Sequence, residues 1–199
     1  MTSAEMADVL PSLLRAEALA LVRGGRLLFE NLTFALAPGG AMLVTGRNGA
    51  GKSSLLRLVA GLLAPDSGHL ANPFATTLLA SEQALKSDRL VEAELHFWAG
   101  LDGSSPERLA AAAEIMAVRA LYGFRCGQLS SGQRQRVAIP RAIASGAMLW
   151  LLDEPANALD RASEERLLQA IALHRQNGGL VMAATHQPLP LEGAMRLEL

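Results

Sequence analysis

The chain has 199 residues, a length that suits one compact domain with at most a small subdomain. Half of the residues are hydrophobic and 19% are charged, so the chain can bury a sizeable core, which excludes disorder and coiled coil. The formal net charge of −1 gives no electrostatic argument for nucleic acid or for an anionic membrane. Cys126 is the single cysteine, which excludes an internal disulfide and a multi-cysteine zinc site and is typical of a reducing compartment.

No segment of the sequence is predicted to cross a membrane. Near the start, Glu5 and Asp8 stand where a secretory signal would carry positive charge. The longest uncharged stretch, residues 31–46, is interrupted by Pro38-Gly39-Gly40, which excludes a spanning helix. We therefore expect a soluble chain that works at a membrane only through another chain.

The first half of the chain predicts the start of an α/β unit. Residues 1–14 are predicted to be a loosely determined lead-in. Alternating or apolar runs then predict strands, with glycine- and proline-containing turns between them, at 17–23, 32–37 and 41–45. Helical periodicity follows over 52–63, so this part of the chain reads strand, loop, helix.

The second half predicts helices first and then buried strands. Helices are expected at 90–98 and 106–122, the second with Ser105 as N-cap and Pro106 in the first turn. Dense apolar runs at 148–152 and 180–184 predict fully buried parallel strands. The expected domain covers 15–199. Its parallel-sheet core, contributed by 15–83 and 146–199, is interrupted by a helical subdomain at 84–145.

A glycine-rich loop lies between the strand predicted at 41–45 and the helix predicted at 52–63. Glycines in a phosphate-binding loop allow consecutive backbone N–H groups to surround a β-phosphate, while the lysine contacts the β and γ oxygens and the serine hydroxyl ligates Mg²⁺. The helix that follows adds its positive N-terminal end. A chance glycine-rich turn before Lys-Ser is the alternative, but the full match and its strand–loop–helix context favour nucleotide binding. The matching residues are Gly46, Arg47, Asn48, Gly49, Ala50, Gly51, Lys52 and Ser53.

Two carboxylates, Asp153 and Glu154, directly follow the buried strand predicted at 148–152. The carboxyl ends of parallel strands line the ligand crevice of such a sheet, so we expect both beside the glycine-rich loop. Asp153 is then the natural partner of Mg²⁺, and Glu154 is placed to act as general base on an attacking water. Acids that merely cap the strand end are the alternative.

A third motif, Leu129-Ser130-Ser131-Gly132-Gln133, combines a capping box with a glycine. Ser130 and Gln133 have the spacing in which each side chain bonds the other's backbone, and a helix is expected to continue over 134–144. Such a helix start is an anion site, although an ordinary helix cap explains the pattern equally well in isolation. Pro140 is expected to kink or end this helix.

Together these motifs resemble the ATPase domain of the ABC family, over essentially residues 15–199. The resemblance rests on the loop at 46–53, on 129–133, 152–155 and 158–160, and on Thr185-His186. It implies a P-loop NTPase fold of the α/β class, with a mostly parallel core sheet, antiparallel N-terminal strands and an inserted helical subdomain. It also implies ATP and Mg²⁺ as ligands, and a head-to-tail pair of chains in which Ser130, Ser131, Gly132 and Gln133 of one chain face the nucleotide held by the other.

The resemblance assigns further residues. Ser54 belongs to the phosphate-binding set, and Gln83 matches a glutamine that contacts Mg²⁺ and the attacking water. His186 matches a histidine that contacts the γ-phosphate and steadies the water of Glu154. Asp160 matches an acid that crosses between the two chains. Arg23 occupies the position of an aromatic adenine-stacking residue, and a guanidinium plane can replace that ring.

Within the family, shorter strings resemble the haem-exporter ATPase subunits of bacterial cytochrome c maturation. They lie at 48–57, 95–98 and 185–189. This resemblance implies integral membrane transporter subunits and a second copy of the chain as partners, no nucleic acid, and a peripheral position at the cytoplasmic face of the bacterial inner membrane. Leu85, Leu90, Phe97 and Trp98 are candidates for the membrane-subunit contact, and insertion core is the alternative for the aromatic pair, Phe97 and Trp98. An ATPase subunit of another ABC exporter or importer, and a soluble ABC ATPase acting on nucleic acid or ribosomes, are the alternative functions.

Overall fold

The computed structural model describes residues 13–81 and 84–199. These ranges contain eight β-strands and five α-helices. The first half runs β1 (Leu14–Arg23), β2 (Arg26–Leu36), β3 (Ala41–Thr45), α1 (Lys52–Val59), β4 (Ser67–Ala71) and β5 (Thr76–Leu79). The second half runs α2 (Val91–Leu101), α3 (Pro106–Ile115), α4 (Ser131–Ala144), β6 (Leu149–Asp153), α5 (Arg161–Gln176), β7 (Leu180–Ala184) and β8 (Met195–Glu198).

The strands form two sheets. Five of the described strands make a parallel sheet in the order β5-β6-β7-β3-β8, and the other three make an antiparallel sheet in the order β2-β1-β4. Helices α2, α3 and α4 lie in the chain between β5 and β6. The predicted α/β fold, with its parallel core, antiparallel N-terminal strands and inserted helices, is confirmed.

Burial on both faces explains why the central strands are apolar throughout. In β6, Leu149 and Leu151 pack toward α1 and the antiparallel sheet, whereas Trp150 and Leu152 pack toward the helices α2–α5. Successive side chains of a strand point to opposite faces. A strand covered on both sides therefore needs a continuous apolar run.

Several element ends differ from the sequence prediction. The helix predicted at 106–122 was wrong beyond Ile115, because Ala117 adopts a left-handed conformation (φ 51°) and a short 3-10 turn follows at Arg119–Leu121. This break buries Met116 and Val118. Helix α1 ends at Val59 rather than at residue 63, and Gly61 follows with a positive φ of 74°.

Helix α4 does not end at Pro140 but continues to Ala144. The proline lacks the N–H that would bond the carbonyl of Arg136. Val137, Ile139 and Ala142 around it are buried, and this packing stabilises the helix across the missing bond. In the ranges that the structure describes, no helix combines the length and the apolar character needed to cross a bilayer.

His174 gives the fold a pH-dependent contact. Its ring stacks on Trp150 with centroids 3.9 Å apart, and its Nε2 lies 3.1 Å from the carbonyl oxygen of Met148. Burial lowers the pKa of the His174 imidazole below its usual value. The unfolded chain therefore takes up this proton at a higher pH than the folded chain does, so the free energy of unfolding decreases as the pH falls below the ordinary histidine pKa of about 6.5.

We expect His174→Phe, which keeps a ring but cannot titrate, to reduce the difference in unfolding free energy between pH 7.5 and pH 5.5. Urea denaturation at the two pH values measures it. His69→Gln, at an exposed position, is the matched control and should leave that difference as in the wild type. An unchanged pH dependence in His174→Phe would exclude His174 as its source.

Candidate active site

The glycine-rich loop connects β3 to α1 and wraps around a buried lysine. Lys52 is 7% exposed, and its Nζ donates hydrogen bonds to the carbonyl oxygens of Gly46 at 2.9 Å and Arg47 at 3.3 Å. Gly51 precedes α1 with a φ of 110°, and a Cβ there would lie 3.1 Å from the Cβ of Leu28. A side chain at position 51 is thus disfavoured by conformation and by space.

An open cavity of about 330 Å³, named the Lys52 cavity, lies over this loop. Lys52 and Ser53 from the start of α1 line it together with Glu154 from the end of β6. The remaining lining residues are Leu28, Asn48, Gly49, Gly51 and Ser54. The fold therefore brings two motifs, about a hundred residues apart in sequence, to one cavity.

The two acids after β6 have different surroundings. Asp153 is the last residue of the strand and is 3% exposed. Glu154 adopts a left-handed conformation (φ 51°), and its N–H donates to the carbonyl oxygen of Ala184 at 2.8 Å. This turn directs the chain away from the sheet just where the second carboxylate meets the cavity.

His186 contacts Glu154 directly. Its Nδ1 lies 2.8 Å from Oε1 of Glu154, and its backbone N–H donates to Oε2 at 3.4 Å. The turn after β7 is shaped by Thr185, whose Oγ1 accepts from the N–H of Gln187 and donates to its carbonyl oxygen. A carboxylate and an imidazole at this distance can share or pass a proton.

A second polar cavity, of about 400 Å³, lies at the N-terminus of α4. The predicted capping box is present: Ser130 Oγ accepts from the N–H of Gln133 at 3.2 Å, and Gln133 Oε1 accepts from the N–H of Ser130 at 2.9 Å. Asp160 caps α5 by accepting from the N–H of Ser163 at 2.8 Å. The bonds from Ser163 lower the pKa of the Asp160 carboxyl. The lining residues are Ser130, Ser131, Gly132, Gln133, Arg136, Ala158, Asp160 and Ser163.

The two cavities have no lining residue in common. Within one chain, therefore, the serines and glycine of the α4 start do not line the Lys52 cavity. The head-to-tail pair expected from the resemblance requires this separation, because it places the α4 start of each chain against the nucleotide of the other chain.

Arg23, which was predicted to stack on the base, does not line the Lys52 cavity. Arg23 lies at the end of β1, opposite Arg26, and is exposed. The hairpin residue at the Lys52 cavity is Leu28, which sequence reasoning missed because the turn between β1 and β2 sets which residue faces the loop. Gln83 lies outside the described residues.

Comparison with known proteins places the chain in a family. The ABC transporter family model matches residues 29–157. A cytochrome c biogenesis ATP-binding export protein from Sphingopyxis alaskensis is 46% identical over 90% of this chain and 92% of that protein. One from Zymomonas mobilis is 46% identical over 89% of this chain and 80% of that protein.

A solved structure of the ATP-binding subunit of an ABC transporter matches with a TM-score of 0.84 over 94% of this chain and 86% of that one. The two sequences are 21% identical, so this match bears on the fold alone. The family model and the curated relatives each span most of the motifs described above. The chain belongs to the ABC transporter family, in its group of cytochrome c biogenesis ATP-binding export proteins.

Proposed function

We propose that this chain is the Mg²⁺-dependent, ATP-hydrolysing subunit of a haem exporter that serves cytochrome c maturation. The observation that carries the ATPase role is the shared cavity of Lys52, Ser53 and Glu154, with His186 bonded to the Glu154 carboxylate. The haem role rests on the similarity to the cytochrome c biogenesis export proteins.

The donor set fits a magnesium-bound triphosphate. Ser53 offers a hydroxyl and Asp153 a carboxylate, the oxygen ligands that Mg²⁺ prefers. When bound, the ion supplies charge neutralisation of the β and γ oxygens. Lys52 adds a cation that the loop holds through hydrogen bonds to two of its carbonyl oxygens. We propose that Gln83 completes the magnesium and water contacts, and that the base extends beyond the Lys52 cavity to the β1–β2 hairpin, where Arg23 stacks on it.

Glu154 is the proposed general base. Its carboxylate takes a proton from the attacking water, and His186, 2.8 Å away, orients that carboxylate and stabilises the charge that develops. Both side chains are attached just beyond adjacent parallel strands, β6 and β7, so their separation is set by rigid backbone.

A second copy of the chain completes the site. The separate cavity at the α4 start carries serine hydroxyls and a helix N-terminus, which together favour an anion. In a head-to-tail pair, Ser130, Ser131 and Gly132 of one chain seal the γ-phosphate held by Lys52 of the other, and Asp160 lies at the junction. Opening and closing of this pair is the mechanical output.

The output passes to an integral membrane subunit, at the cytoplasmic face of the inner membrane. Helix α2 and its N-cap offer a contact surface, since Leu90 is 44% and Phe97 43% exposed. Trp98 belongs to a neighbouring small groove with Leu85 and Arg141. Leu90 and Phe97 are therefore the proposed contact residues, and Trp98 and Leu85 line the groove beside them.

The cellular test is complementation. In a bacterium that lacks its own copy of the gene, Lys52→Ala should abolish covalent haem staining of c-type cytochromes, because the cation that holds the triphosphate is gone. Arg57→Ala, on an exposed position of the same helix, is the control and should restore staining.

Immunoblots establish that both variants are present at wild-type level. Normal staining with Lys52→Ala, in a variant that has lost ATP turnover when purified, would remove the haem assignment and leave the ATPase assignment intact. It would favour an ABC transporter for another cargo.

A further inference from the structure

A buried amide on α4 is bonded to the backbone of the proposed catalytic residue. Gln135 is 2% exposed. Its Nε2 donates to the carbonyl oxygen of Pro155 at 2.9 Å and, less closely, to that of Glu154 at 3.3 Å. These bonds connect the fifth residue of α4 to the segment directly after β6.

The backbone that these bonds reach has an unfavourable conformation. Glu154 has a φ of 51°, a strained conformation for a non-glycine residue that persists only where the surroundings impose it. Its N–H is held by Ala184 and its carbonyl oxygen accepts from the N–H of Asn157 at 3.1 Å. Gln135, which belongs to the helical insertion, adds side-chain hydrogen bonds to the same turn.

A second contact joins the same two segments independently. A Cβ at Gly132 would lie 2.3 Å from the carbonyl oxygen of Ala158, so the start of α4 rests directly on the turn between β6 and α5. Ala158 is itself left-handed, with a φ of 61°. The start of α4 and the turn at Glu154 therefore contact each other at two points, Gln135 with Pro155 and Gly132 with Ala158.

We propose that Gln135 is a positioning residue for Glu154. Through Gln135, the position of the Glu154 carboxylate depends on the position of α4, the helix whose start seals the nucleotide held by the other chain. The inference rests on the proposed function, because it requires Glu154 to be the base and α4 to face the other chain. In a head-to-tail pair the two belong to different nucleotide sites. Gln135 therefore connects the sealing of one site to the readiness of the other.

The first test substitutes Gln135→Met, which keeps the length and removes the donor. The kcat for ATP should fall at least tenfold, within the roughly hundredfold that a 1 Å misplacement of a reacting group costs. The KM should change less than about threefold, because no nucleotide-binding group is altered. Gln135→Asn, which keeps the amide but shortens its reach, should show the same split if the methionine variant does not fold.

Ser104→Ala is the matched control. Ser104 Oγ donates to the carbonyl oxygen of Ala144 at 2.7 Å, at the other end of α4. Both substitutions remove side-chain hydrogen bonds of α4 and should therefore lower the free energy of unfolding to a similar extent, but Ser104→Ala should leave kcat unchanged. An equal fall of kcat in both variants would mean that loss of stability alone explains the effect and would overturn the proposal.

A double-mutant comparison separates positioning from a general effect. In the Glu154→Gln background there is no base left to position, so Gln135→Met should leave the residual single-turnover release of phosphate unchanged within about twofold, because residues that act as a unit are not additive. Mg-ATP should still drive association of the double variant. A further tenfold loss of turnover, or loss of association, would overturn the inference while leaving the ATPase assignment standing. Loss of the ATPase assignment itself would appear as an inactive wild-type protein.

Discussion

Glu154→Gln is expected to lower ATP turnover by about 10²–10⁴-fold, the usual contribution of a general base. Glutamine matches the shape of glutamate but cannot take up the water's proton. The side chain is 17% exposed and 2.8 Å from His186, so the substitution leaves the cavity in place. ATP affinity should stay within a few-fold of the wild type, and the pair of chains should accumulate with unhydrolysed ATP.

Phosphate release, nucleotide titration and light scattering with Mg-ATP measure the three outcomes. Glu165→Gln is the matched control, since Glu165 is an exposed partner of Arg161 on α5 and an exposed ion pair contributes little. Turnover at the wild-type level in Glu154→Gln would show that another group takes the proton.

Gly132→Ala is expected to reduce turnover by about a hundredfold, because the added methyl group would lie 2.3 Å from the carbonyl oxygen of Ala158. That neighbour is backbone, so the α4 start or the turn at Ala158 has to move by about 1 Å, enough for such a loss. The Lys52 cavity has no wall from this region. The isolated chain should therefore still bind ATP, while association of two chains by Mg-ATP should fail.

Gly100→Ala is the control for the substitution itself. Gly100 is also in the helical insertion, and a Cβ there meets no atom within 4 Å. Alanine also has the higher helix propensity, so turnover and association should be unchanged. Normal ATP-driven association of Gly132→Ala would contradict the role given to the α4 start.

The fold was predictable where local patterns agree with tertiary packing. The run at 180–184 matches β7 residue for residue, because a strand buried on both faces has a continuous apolar signature. The break after α3 was not predictable: Ala117 takes a positive φ without the glycine that usually marks one. The reason is the burial of Met116 and Val118, which only the assembled core imposes.

The site residues fall into the same two groups, those that the sequence predicts and those that only the fold reveals. The functional residues of the loop at Lys52 and of the pair Asp153-Glu154 are adjacent in the sequence, so they could be identified from the sequence alone. Gln135 and Leu28 could not, since their importance comes from contacts with Pro155 and Gly51 across the fold. Helix α5 and strands β4, β5 and β8 were also not predicted, because their short or mixed patterns lack a distinct period.

Interchain cross-linking tests the central claim most directly, which is that ATP lies between Lys52 of one chain and Ser130–Gly132 of the other. Asn48→Cys and Ser131→Cys place thiols on exposed positions of the two cavities. Cys126, which is buried, is replaced by alanine, and Glu154→Gln preserves the nucleotide. A short thiol-specific reagent should then give covalent dimers with Mg-ATP, and few without nucleotide or after adding Lys52→Ala. Equal dimer yields under all three conditions, or links within single chains only, would contradict the account.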